Sequence, residues 1–137
     1  SLFDPVASGV PASSVKAIDL RGPEEDISLR RDIDRWIAVS HQDQEVPADR
    51  VDALLELLTA SPASDIALVD PYPHDLEQGT ITLIGYDGRP LDTVRVLRET
   101  PADGGRWGLE NGDRIVRIQP TITGLPLRAL DWGLGGP

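Results

Sequence analysis

The sequence contains no cysteine. That absence removes thiol catalysis, disulfides, zinc–thiolate sites and iron–sulfur clusters together. It leaves the compartment open, because extracytoplasmic proteins can also lack cysteine. Lysine is almost missing: Lys16 is the single one, and the other basic residues are arginines. With 13 basic and 23 acidic residues the net charge is −10. That balance speaks against nucleic acid, whose binding depends on neutralising phosphates. It speaks equally against direct binding to an anionic lipid surface. Long apolar runs are also lacking, and nothing approaches the ~18 consecutive apolar residues of a membrane helix.

Familiar catalytic patterns are absent as well. There is no G-x-S-x-G elbow of the α/β-hydrolase kind. "GYDG" and "GLENG" match neither the dinucleotide-binding fingerprint nor the P-loop. The acidic "GPEEDI" lacks the alternating ligands and closing Glu of an EF-hand, so it reads as a solvated turn.

What is there is an ordinary soluble composition: 137 residues, 39% hydrophobic and 26% charged. This is enough for one domain with a core. Residues 1–14 are rich in Pro, Ser and Ala without apolar period and read as an extended lead-in. "VKAIDLR" (15–21) reads as a strand with Ile18 and Leu20 on one face. "ISLRR" and "RWIAVS" follow as two more, separated by turn signals, which predicts an antiparallel meander. "PADRVDALLELLTASP" places Val51, Leu54, Leu55 and Leu58 on one helical face. Pro47 suits the first turn, Asp49 suits the positive end of the dipole, and Ser61-Pro62 ends the helix. "DIALVD" reads as a short strand, and "TITLIGYDGRPLDTVRVLR" as a hairpin turning at Asp87-Gly88. Pro90 implies a strand start or an edge. "DRIVRIQ" is a final strand, fed by a glycine-rich loop from Ala102 to Gly112. The expected fold is therefore α+β: a mostly antiparallel sheet of meander and hairpins, with one amphipathic helix at about 47–60 packed on it. Residues 15–132 form the single domain, and 133–137 a flexible C-terminal tail.

Candidate functional residues are few. His41 lies in a polar turn. His74 lies in "DPYPHDLE", near Asp70 and Asp75, where a metal site or a small hydrolytic centre is conceivable; a solvated proline-rich loop is the plainer reading. No catalytic, cofactor-binding or metal residue is assigned. Trp36, inside a strand, is read as core. Trp107 and Trp132 both sit beside glycines in turns and are the candidate interaction residues.

"VRVLRETPADGGRWGLENGDRIVRI" resembles a bacterial PDZ domain, with Gly108, Leu109, Gly112, Asp113 and Ile115 in place. That resemblance implies a peptide-binding module. A PDZ domain continues into a groove helix, however. Here Pro120, Thr121, Gly124 and Pro126 oppose a regular helix.

A broader resemblance runs from Val15 to Trp132. "ISLRRDIDRWIAV", "VPADRVDALLELLTA", "GTITLIGYDGRPLDTVRVL" and "DRIVRIQ" resemble the pattern of the domain of unknown function 4340 family. Ile27, Leu29, Arg30, Trp36, Pro47, Ala48, Asp49, Leu54, Leu55 and Leu58 carry the likeness. "PHDLEQG" departs from the Gly-Leu-x-x-Pro segment of that family. The resemblance implies a non-enzymatic, extracytoplasmic (periplasmic) interaction module. It also implies a tether by an N-terminal membrane segment absent from this chain, and a protein partner in a membrane transport complex of the ABC type. The abrupt opening on Ser1-Leu2-Phe3 fits that expectation. No cofactor is expected.

Overall fold

The computed structural model describes residues 5–7, 9–60, 66–68, 77–98, 107–112, 114–118 and 126–134. Nine strands and one α-helix are described: β1 (Val15–Arg21), β2 (Asp26–Asp32), β3 (Arg35–Ala38), β4 (Gln44–Val46), α1 (Ala48–Thr59), β5 (Ile66–Leu68), β6 (Glu77–Gly85), β7 (Pro90–Arg98), β8 (Trp107–Asn111) and β9 (Arg114–Ile118). They form one sheet in the order β4-β3-β2-β1-β6-β7-β8-β9-β5. Every neighbouring pair is antiparallel. The fold is α+β, with two meanders, β1–β4 and β6–β9, joined side by side through β1 and β6.

The sheet has one apolar face because its strands alternate. Ile18 and Leu20 of β1 pair with Leu29 and Ile27 of β2, and with Leu83 and Ile81 of β6. Trp36, Val94, Val96 and Leu109 continue that face, and all are buried. Helix α1 covers it with Val51, Leu54, Leu55 and Leu58, the four residues that the helical period brings to one side. Burying each contributes about 1.5–3 kcal/mol. Pro47 stands just outside the helix in extended conformation, and its carbonyl accepts from the amides of Arg50 and Val51.

Described residues near both ends of the chain belong to this core. Val6, Ala7 and Val10 are buried, and the Ala7 amide donates to the Leu58 carbonyl at 2.7 Å. Residues assigned to the lead-in therefore cover the helix and sheet. A 3-10 turn, Ala12–Ser14, then leads into β1. At the other terminus a 3-10 turn, Ala129–Trp132, ends at Gly133 in left-handed conformation (φ 73°), which turns Leu134 inward. The tail accordingly begins within the packed structure at 133–134.

Other departures are local. β4 occupies what reads as a polar turn, and β8 occupies the second half of the predicted glycine-rich loop. The β6–β7 connection is longer than a two-residue turn. The Gly85 amide donates to the Arg89 carbonyl and the Gly88 amide to the Gly85 carbonyl, with only Gly88 left-handed (φ 81°). This is the three-residue loop in which a turn is followed by a left-handed glycine. Pro90 starts β7, as its missing donor requires.

Candidate interaction surface

The register brings several connections to the same end of the sheet. Asp32 pairs with Arg35 across the β2–β3 turn. Arg31, just before that turn, donates from Nε and Nη2 to the Val15 carbonyl at 3.3 and 3.2 Å. Val15 in turn pairs with Gly85, where β6 ends. The β2–β3 turn, the start of β1 and the β6–β7 loop therefore lie together at what we call the hairpin end. The β8–β9 connection joins them, because Asn111 Nδ2 donates to Asp92 Oδ2 and to the Val6 carbonyl.

The hairpin end collects exposed apolar side chains. Ile33 is 91% exposed and Tyr86 62%. Leu91 is also exposed and lies against Gly85. Ile33 and Tyr86 belong to turns separated by about three inter-strand spacings, roughly 14 Å. Lys16 sits between them: its Nζ donates to the Arg31 carbonyl at 2.8 Å and lies 5.6 Å from the centre of the Tyr86 ring.

Ile33 has an unusual backbone. It is the first residue of the two-residue connection between β2 and β3, and its φ is 59°. Hairpin turns of this length call for positive φ at that position, which glycine supplies without strain. A β-branched residue there is an outlier, at a cost of order 1–2 kcal/mol. The turn is clamped from outside. Arg35 donates to Asp32 at 3.1 Å and to Glu45 at 3.4 Å. The Asp32 hydrogen bond, with that to Glu45, raises the pKa of the Arg35 guanidinium. Ile33 is thus held out between Asp32 and Asp34, almost fully exposed.

Beside the hairpin end, on the helix side, is a groove of about 340 Å³ between α1 and the Ala12–Ser14 turn, open to solvent. Arg31 is among the residues that line it.

The structure divides the residues that sequence pattern singles out. Trp132 is corrected from a contact residue to a core residue. It is 1% exposed, and its indole Nε1 donates to the Pro126 carbonyl at 2.9 Å. The glycine beside it marks a turn, as expected, but that turn points the ring inward. Trp107 opens β8 and is half-buried, packed against the core, with the Arg98 guanidinium 5.0 Å from its ring centre. Its outer face is occupied by that arginine, so it is not an open stacking platform. Trp36 is core, as expected. His41 ends a 3-10 turn and its Nδ1 meets Ser40 Oγ at 2.8 Å. His74, Asp70 and Asp75 lie outside the described residues. Among the described residues, no group of three or more His, Asp or Glu is arranged to hold a metal ion. Gly108 and Leu109 of the PDZ-like stretch form part of the β8–β9 hairpin, and the one α-helix among the described residues lies upstream of it.

On the opposite face of the sheet Arg95 donates to Glu77 at 3.1 Å and to Glu110 at 2.8 Å. These bonds, Glu77's first, raise the arginine's pKa. Glu110 is buried, and among the described residues its Oε2 has no partner. No pattern in the sequence marks it, because an acid in an alternating strand reads as solvent-facing.

Among the described residues, no helix is long and apolar enough to cross a membrane. No protein-family model, no curated protein and no solved structure matches this chain.

Proposed function

We propose that the chain is a non-enzymatic interaction module that meets a protein partner with its hairpin end. The observation that carries this reading is Ile33, a β-branched residue 91% exposed in a left-handed conformation at the tip of a clamped turn. Strain of that kind is retained where something other than the fold needs the side chain. Tyr86 and Leu91 extend the apolar contact area, and a few anchor residues, tyrosine often among them, carry most of the energy of protein interfaces. The extracytoplasmic setting and the partner in an ABC-type transport complex enter through the resemblance to the domain of unknown function 4340 family. The charge of −10 accords with a protein partner in preference to lipid or nucleic acid.

The test is site-specific photo-cross-linking in the producing cell. A photoreactive residue at position 33 is expected to give an adduct of defined mass. One at Arg30, exposed on the other face of the sheet, is expected to give none. The proposal falls if neither position gives an adduct, or if both give the same one.

A further inference from the structure

Helix α1 carries two exposed carboxylates that its own structure leaves unanswered. Asp52 and Glu56 are four residues apart, one turn, and among the described residues neither forms an ion pair. Like charges at that spacing repel. Glu56 also lies towards the negative end of the helix dipole, and the last turn has no basic residue to offset it. The helix folds in spite of both effects.

These carboxylates rim the groove between α1 and the Ala12–Ser14 turn. The buried Leu55 lines it together with Ala12 and Ala60, which supply apolar surface. Arg31 also lines it, but its charge is directed elsewhere. Nε and Nη2 bond the Val15 carbonyl, and the guanidinium carbon lies 4.6 Å from the centre of the Trp36 ring. An apolar trough rimmed by two carboxylates that have no ion-pair partner among the described residues is complementary to a long side chain with an apolar stem and a cationic head. An apolar occupant would strip water from both carboxylates without replacing it. An anionic occupant would be repelled. The groove is also open to solvent, unlike the enclosed pockets that bind small molecules.

We propose that this groove seats an arginine or lysine side chain of the protein partner, its stem over Leu55 and its head between Asp52 and Glu56. The proposal rests on the interaction-module reading and supplies the chemistry of the partner. Arg31 and the Ala12–Ser14 turn make the groove continuous with the hairpin end, so one partner can engage both.

The experiment titrates the ¹⁵N-labelled chain with acetyl-Leu-Arg-Leu-amide, and separately with acetyl-Leu-Glu-Leu-amide, at low ionic strength. The arginine peptide is expected to shift the amides of Ala12, Asp52, Glu56 and Ala60 with millimolar affinity, and the glutamate peptide to leave them unmoved. The D52N/E56Q double variant removes a like-charge pair and so keeps the fold. It should bind the arginine peptide about tenfold more weakly, the loss of two exposed ion pairs. No shift with the arginine peptide, equal shifts with both peptides, or undiminished binding by the double variant would each overturn the proposal. If cross-linking from position 33 persists in that event, the interaction module stands without the groove.

Discussion

Arg31 lies over the ring of Trp36, the residue it pairs with across β2 and β3, with 4.6 Å between its guanidinium carbon and the ring centre. The same guanidinium holds the Val15 carbonyl. One side chain therefore seals the edge of the core and ties β2 to the start of β1, where the register shifts between Val15 and Ala17. The groove and the hairpin end meet at this residue.

Arg31→Ala should destabilise the fold by about 1–2 kcal/mol, from a cation–π contact worth ~0.5–1 and a hydrogen-bonded anchor worth ~1. Denaturant unfolding measures the loss. Tryptophan emission should shift to the red as Trp36 gains water. An unchanged midpoint together with unchanged emission would show that the stacking is incidental.

Ile33→Gly should make the chain more stable. Releasing the left-handed strain contributes about 1–2 kcal/mol, and the added freedom of glycine in the unfolded chain takes back up to ~1. Ile33→Asn, which tolerates the same φ with less unfolded freedom, should also raise the midpoint. A fall in stability for both variants would mean that Ile33 packs against something in the native state.

Gly79 should resist substitution. It lies at the irregularity between Glu77 and Gly79 in β6, with φ 157°, and a Cβ there would collide with the backbone oxygen of Arg21. That oxygen cannot retreat without disturbing β1, at the centre of the sheet. Gly79→Ala should cost about 2–4 kcal/mol, read from the urea midpoint. A cost below that of an ordinary surface change would show that β1 yields.

The elements legible in the sequence are those whose periodicity follows from burial on one side. α1 was readable because Val51, Leu54, Leu55 and Leu58 repeat with the helical period. β1, β2 and β6 were readable because alternation is what a half-buried strand requires. β4 is only three residues long and mostly polar, too short to show a period. β8 contains Gly108, which reads as a turn; in the sheet it stands opposite the buried Leu97 on the far face. Val6, Ala7 and Val10 pack without belonging to any strand or helix, so no period marks them. Trp132 shows that a turn fixes where the chain bends, not which way a ring points. The site was hidden for a related reason. The turn between "ISLRR" and "RWIAVS" is legible, but nothing in the sequence says that Ile33 takes a positive φ there or that its side chain stays exposed. Two aspartates flanking a lone apolar residue between arginines were the one available signal of a turn there.

The central claim is that Ile33 anchors a partner at the hairpin end. It is tested most directly by placing the photoreactive residue at Tyr86, in the other turn of the patch, and comparing adduct yield in chains carrying Ile33 and Ile33→Gly. The account predicts that the adduct forms with Ile33 and falls to background with glycine, although the glycine chain is at least as stable. Equal yields from the two chains would contradict it.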